Sequence, residues 1–458
     1  MGTLVIGRQG SGKTSSLARQ VVEHFLSHPK EAIFALDWSG PFTNTVLSLL
    51  SQYPPEVYER AIRRVVYDEP GNPEWVVPLP EFSEEYGTKE EQVERIVDSL
   101  AKTHKELMER TPVVGGLAIE NAAHFFRLCA AITNEHGESW QITEAKKLLV
   151  DEGLLRRALN RYGGQVPEAK YFIEKIFLEK KEADRQLSVY ALVSLLGAIE
   201  PRELRARFGY YRPGWTPKEA VEKGLLVLVN GASLINREMA KNYVFTQVFS
   251  LILQELKKRI PDNPADNPIS LILDETYGLT GIPGFAQEIS ELPSEYRSRK
   301  LQLFVVLQSL SQLARPLDEQ IWSLGNKVIF AIENKEEAEK IALQLFKYDP
   351  QYTKRVTITA YQNKVTEPET GQNRILADWI QNLRFREVLM RRFISEKRLD
   401  PHVRHVERTR EHPNGMQAET LYDLRNRLLR ERGVRVRDAL EVINQRTQIL
   451  NPTTRPQV

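Results

Sequence analysis

The sequence predicts an α/β protein with a mostly parallel central sheet, and three observations carry that reading. A glycine-rich loop, Gly7-Arg8-Gln9-Gly10-Ser11-Gly12-Lys13-Thr14, sits between a short apolar run and a helical pattern. Further apolar runs end at polar or acidic residues. Amphipathic helical stretches separate those runs, which is the alternation that builds parallel sheets.

The elements follow in chain order. Thr3–Ile6 reads as a strand leading into the glycine loop, and the helix behind the loop carries Val21, Val22, Phe25 and Leu26 on one face. A buried strand over Glu31–Leu36 ends at Asp37, with a shorter one at Arg64–Tyr67, giving a βαβ unit. Helical periodicity then dominates from 81 to 215, over Glu90–Leu107, Leu117–Thr133, Ile142–Tyr162 and Leu187–Phe208, as an inserted all-helical domain. Strands resume at Leu225–Val229, followed by an amphipathic helix over Glu238–Arg259 and a Pro- and Asn-rich turn at Pro261–Pro268. Strand runs at Ile269–Leu273, Leu303–Leu307 and Val328–Ile332 and a helix at Lys335–Phe346 complete the core. The expected division is an α/β core over 1–80 and 216–350, the helical insertion over 81–215, and a basic mixed segment over 351–458 without clear sheet pattern.

Composition bounds the function. The 458 residues are 41% hydrophobic and 27% charged, values of an ordinary globular protein with ample core material. The single cysteine, Cys129, excludes an internal disulfide and any cysteine-based zinc cluster, and fits a reducing cytosol. No stretch approaches the ~20 apolar residues that cross a bilayer, so a cytoplasmic location is expected, with any membrane role supplied through partners. The formal net charge is +2, unevenly spread. From Gln381 onward 17 Lys and Arg face 10 Asp and Glu, a net of +7 that leaves the remainder at −5. Either a polyanionic partner or a solvated arginine-rich surface accounts for that asymmetry.

The loop matches G-x-x-x-x-G-K-[ST] at every fixed position. Its backbone N–H groups, in dihedrals that glycine permits, converge on phosphate oxygens, and the following helix presents its positive end to the same anion. Residues Gly7 to Thr14, with Ser15 behind them, are the candidate nucleotide-binding set. Lys13 would reach the β- and γ-phosphates and the Thr14 hydroxyl would ligate Mg²⁺. The run Ile269-Ser270-Leu271-Ile272-Leu273-Asp274-Glu275 supplies the carboxylates such a site needs: Asp274 on the metal side and Glu275 as general base for the attacking water. Gln308, at the end of Leu303–Leu307, either senses the γ-phosphate, positions water or merely starts a helix. The cluster Tyr296-Arg297-Ser298-Arg299-Lys300 either holds an arginine finger for a neighbouring subunit or is a solvated loop. Asp37 points to the ligand edge or serves as a turn acid.

This order of motifs resembles the HerA/FtsK superfamily of hexameric DNA translocases, and most of all the coupling proteins of type IV secretion. The resemblance rests on the loop, on Leu36-Asp37-Trp38-Ser39-Gly40, on Leu226-Val227-Leu228-Val229, and on Leu271-Ile272-Leu273-Asp274-Glu275. It extends through Arg297, Gln308-Ser309-Leu310-Ser311-Gln312-Leu313 and Gly325-Asn326-Lys327-Val328. It covers about 1–60 and 220–345. It implies a RecA-like core, ATP and Mg²⁺, a ring with a central channel, a glutamate base at Glu275, and DNA as the moved substrate. It also implies that Arg297, eleven residues before Gln308, is the trans finger in preference to Arg299. Partners in DNA processing or in the secretion channel are expected. Coupling proteins usually carry a membrane anchor before the nucleotide-binding domain, whereas here the loop starts at residue 7, as expected of a soluble member or one docked through other proteins.

Two further readings stand beside the DNA motor: a viral or mobile-element packaging ATPase, and an ATP-dependent scaffold or switch. Glu275 counts against a switch, which has no need of an efficient base. A GTPase is disfavoured because no Asn-Lys-x-Asp segment is present.

Overall fold

In the computed structural model, residues 2–104, 112–134, 137–282, 285–313, 317–346, 353–358, 361–366, 369–391, 406–408 and 418–450 are described. The strands are β1 (Gly2–Ile6), β2 (Ala32–Asp37), β3 (Val65–Asp68), β4 (Trp75–Val76), β5 (Leu226–Asn230), β6 (Ile269–Asp274) and β7 (Leu301–Leu307). After them come β8 (Asn326–Ile329), β9 (Thr353–Ile358), β10 (Tyr361–Thr366), β11 (Glu387–Arg391), β12 (Val406–Arg408) and β13 (Val434–Arg435).

Nine of them form one sheet in the order β12-β11-β8-β1-β7-β6-β2-β5-β3. The seven from β3 to β8 are parallel, and β11 and β12 join antiparallel at one edge. Strands β2, β3, β5 and β6 are buried along their whole length. That explains their continuous apolar runs, because helices cover both faces of a parallel sheet. The expected βαβ unit is parallel, but β1 and β2 are not neighbours: β7 and β6, from far along the chain, lie between them.

Between β4 and β5 the regular elements among the described residues are helices, apart from an isolated bridge between Thr133 and Ser139. Two expected helices are each interrupted. Ile142–Val150 and Glu152–Tyr162 are separate because Asp151 leaves helical geometry (φ −108°, ψ 96°) and its carboxylate accepts the Leu154 N–H at 2.8 Å. A side-chain cap thereby starts a second helix where periodicity alone suggested one. Glu182–Leu196 and Arg202–Gly209 are divided at Pro201, which cannot donate into a helical ladder. Leu107, the expected end of one helix, lies outside the described residues; the helix is observed over Lys89–Thr103.

The C-terminal segment differs most from expectation. Instead of lacking sheet pattern, it adds β11 to β8, and β13 pairs with β4. Several of its arginines are consumed internally. Arg446, 5% exposed, pairs with Glu144, Arg425 donates to Glu69 at 2.7 Å, and Arg432 to Glu219 at 2.8 Å. Part of the +7 excess therefore ties this segment to the core and to the helical region rather than facing solvent.

Candidate nucleotide-binding site

Strand order brings the sequence motifs together. Ile6 of β1 is level with Leu307 of β7, Leu273 of β6 with Val305 of β7, and Asp37 of β2 with Asp274. The glycine loop, Gln308, the Asp274–Glu275 pair and Asp37 thus follow one another along a single edge of the sheet. At about 4.8 Å between strands, the loop strand and the acid strand stand about 10 Å apart, room for a phosphate and its metal. A cavity of about 310 Å³ opens there, lined by Gln9, Gly10, Gly12, Lys13, Thr14, Ser15, Asp274, Glu275 and Gln308, and by Pro41, Thr45 and Phe385.

The loop geometry follows from its glycines. Gly10 (φ 73°) and Gly12 (φ 97°) occupy the left-handed region, and Gly12 precedes the helix Lys13–Ser27 with no side-chain cap. The amides at that helix end remain available to an anion. The Ser11 hydroxyl is buried without a hydrogen-bond partner, a donor suited to a phosphate oxygen. The Lys13 ammonium folds back onto the carbonyl oxygens of Gly7 and, at 2.9 Å, Arg8. Burial lowers its pKa to about 8, against the opposing pull of Asp274 and Glu275. Thr14 is half-buried at the cavity wall, and Ser15 donates to the Gly12 carbonyl at 3.1 Å. Arg8 is exposed and does not line the cavity.

On the acid side, Asp274 is 3% exposed. Burial, then Asp37 and Glu275, push its carboxyl well above the ordinary range, with Lys13 pulling the other way. Such a crowd of acids calls for a cation. Glu275 adopts φ 52°, ψ 50°, a conformation that costs a non-glycine residue on the order of 1 kcal/mol and recurs at functional sites. Asp37 proves to be a turn acid: its carboxylate accepts N–H groups of Gly40 at 2.7 Å, Thr43 at 2.8 Å and Ser39 at 3.2 Å, starting the helix Pro41–Leu50. Gln308 is half-buried at the cavity, and the turn behind it is pinned by Glu337, which accepts the Ser309 hydroxyl at 2.6 Å and the Leu310 N–H.

Arg297 is not brought to this cavity. It is exposed in the turn that precedes β7, at the opposite edge of the sheet from Gln308. Seven strand residues span about 23 Å, well beyond the reach of an arginine side chain. Arg299 is held structurally, its guanidinium donating to the carbonyls of Leu256 at 3.2 Å and Lys257 at 2.5 Å.

Among the residues at the site that escaped the sequence reading are Lys241, Glu337 and Phe385. Lys241, buried on the helix Glu238–Lys257, places its ammonium 4.2 Å from the centre of the Trp38 ring. Burial lowers its pKa, opposed by Glu275 and Asp37. No local motif marks any of the three, because each arrives from a distant segment.

The lowered pKa of Lys13 has a measurable consequence. Phosphate would favour the ammonium and raise its pKa in the complex, so above pH 8 binding requires proton uptake. Affinity for Mg-ATP should then fall with rising pH, by about tenfold per unit above pH 8. Calorimetric titration in buffers of different ionisation enthalpy reads both the affinity and the proton. Unchanged affinity and no uptake up to about pH 9 would contradict this protonation behaviour.

A phosphate loop, an acid pair and a polar strand end along one edge of a mostly parallel sheet define a RecA-like P-loop nucleotide-binding fold. The family model described as the TraM recognition site of TraD and TraG matches residues 268–384, which include Asp274, Glu275, Arg297 and Gln308. Solved structures agree. The bacterial conjugative coupling protein TrwBdeltaN70 in its unbound monoclinic form superposes with a TM-score of 0.55 at 13% identity, covering 85% of this chain and 81% of that one. The plasmid coupling protein TrwB in complex with ADP and Mg²⁺ gives 0.54 at 14% identity, covering 91% and 87%. TrwB with a non-hydrolysable ATP analogue gives 0.51 at 14%, covering 85% and 82%. No curated protein sequence matches the chain. Over 268–384 the chain is thus similar to the TraD and TraG segment, and its overall fold is similar to that of the TrwB coupling protein. Among the described residues no helix is long and apolar enough to cross a membrane.

Proposed function

We propose that this chain hydrolyses ATP to move DNA, as a ring of identical subunits, in conjugative or mobile-element transfer. The observation that carries the reading is the convergence of Lys13, Thr14, Asp274, Glu275 and Gln308 on one cavity. The TrwB structures, which hold ADP with Mg²⁺ and an ATP analogue, support nucleotide and Mg²⁺ as ligands. The residues present fit both: the unpartnered Ser11 hydroxyl and the open helix end suit phosphate, and the crowded acids suit a divalent cation.

In this reading the loop amides and Lys13 hold the β- and γ-phosphates, releasing Lys13 from the carbonyls of Gly7 and Arg8. Thr14 and Asp274 would hold Mg²⁺, which neutralises charge on the transferred phosphoryl group. Glu275 takes the proton of the attacking water, and Gln308, between the loop strand and the acid strand, orients that water or the γ-phosphate. DNA binding rests on the resemblance to DNA translocases and on whatever basic surface the C-terminal segment leaves unpaired. The core over 1–80 and 216–350, extended by β11, would be the motor, and the helical region over 81–215 a partner-binding domain. The matched TraM-recognition segment favours a DNA-processing protein among the partners.

The position of Arg297 argues for the ring. It is too far from its own cavity to act there, so a catalytic role requires a neighbouring subunit. Head-to-tail contacts of that kind close into rings, here expected to be hexameric. Arg297→Ala and Glu275→Gln subunits, each inactive alone, should recover part of the ATPase activity when mixed, at interfaces pairing an intact arginine with an intact glutamate. Full activity of Arg297→Ala alone would remove the arginine from the mechanism.

A further inference from the structure

The sequence motifs account for one end of the cavity; the other end is walled by Phe385, from the basic C-terminal segment. Phe385 lies in the turn between the helix Glu369–Gln381 and β11, and is 59% exposed. The ring stands open at the cavity wall, and the backbone that carries it is firmly fixed. The Arg386 N–H donates to the Ser11 carbonyl at 3.1 Å, tying the turn directly to the phosphate loop. Arg384 N–H donates to the Glu387 carboxylate and Glu387 N–H to the Arg384 carbonyl, both at 2.9 Å. Arg386 itself adopts φ 64°, a conformation that arginine rarely takes and that the surrounding bonds must enforce. A Cβ on Gly12 would meet the Arg386 side chain at 3.0 Å and the Phe385 ring at 3.3 Å, so the turn packs hard against the loop. The Arg386 guanidinium rests 4.8 Å from the centre of the Phe385 ring.

Topology gives this end of the cavity a meaning. Relative to the loop strand β1, the acids leave β6, two strands to one side, while β11 lies two strands to the other. Because β11 is antiparallel to β8, it begins at the same edge where the parallel strands end. A nucleotide with its γ-phosphate toward Asp274 and Glu275 therefore extends its nucleoside toward Phe385.

We infer that Phe385 is the stacking platform for the base of the bound nucleotide, held in place by the Arg386–Ser11 bond, so that the C-terminal segment closes the site built by the N-terminal loop. This rests on the nucleotide reading above. Recognition through the face of the ring selects for a flat base, with little discrimination between purines, since every base offers such a face.

The test compares binding of Mg-ATP with binding of Mg-tripolyphosphate, which has the phosphates but no base, in the full chain. Phe385→Ala should raise the Kd for Mg-ATP by about tenfold while leaving tripolyphosphate within about twofold. Phe385→Leu should behave like the alanine variant despite its apolar volume, and Phe385→Trp should bind Mg-ATP at least as well as the parent. Equal weakening of both ligands, or full rescue by leucine, would overturn the stacking assignment while leaving the phosphate site standing. Failure of the parent chain to bind either ligand would overturn the nucleotide reading itself.

Discussion

Replacing Lys13 with alanine is expected to reduce ATP turnover by about 10³-fold or more and to weaken nucleotide binding sharply. The ammonium is the point charge nearest the phosphates, and the residue is 8% exposed, so bulk water does not replace it. In the free protein it is satisfied by the Gly7 and Arg8 carbonyls, which keeps it poised over the loop and makes its transfer to phosphate a short displacement. Lys13→Arg should fail nearly as badly, because a planar guanidinium does not reproduce a compact ammonium inside the loop. Hydrolysis by Lys13→Ala within a few-fold of the parent would mean that the loop is not the phosphate site.

Glu275→Gln should separate binding from chemistry. The amide keeps the shape and the side chain's place in the left-handed turn, so Mg-ATP binding is retained, while loss of the base slows hydrolysis by about 10²-fold or more. The strained backbone at Glu275 makes the position demanding. Thr276, whose hydroxyl donates to the Leu273 carbonyl at 2.8 Å, and Gly278, against which the Trp38 ring packs, hold the turn in that conformation. A variant that lost binding but kept its turnover number would place the base elsewhere.

The parts of this site that were legible in the sequence are those whose chemistry is local. The loop from Gly7 to Thr14 encodes its own backbone geometry through Gly10 and Gly12. The acids Asp274 and Glu275 announce themselves by ending a fully buried apolar strand. What was not legible depends on pairings that no short window contains. β11 is a five-residue, partly buried strand between β8 and the edge strand β12, and it ends in arginine, too short to stand out as a strand. Asp151 and Pro201 divide helices whose apolar periodicity runs on across the break. Lys241, Glu337 and Phe385 reach the site only because β6, β7 and β11 insert where sequence order did not predict. The offset of eleven residues singled out Arg297, yet the strand that lies between it and Gln308 already puts the arginine at the far edge of the sheet.

The central claim, that this cavity hydrolyses ATP in the service of DNA movement, is tested most directly by steady-state ATP hydrolysis with Mg²⁺ at rising concentrations of single- and double-stranded DNA, in the parent chain and in Glu275→Gln. The account predicts turnover that rises with at least one form of DNA in the parent and is nearly absent in the variant under every condition. Turnover indifferent to both forms of DNA, or equal in parent and variant, would contradict it.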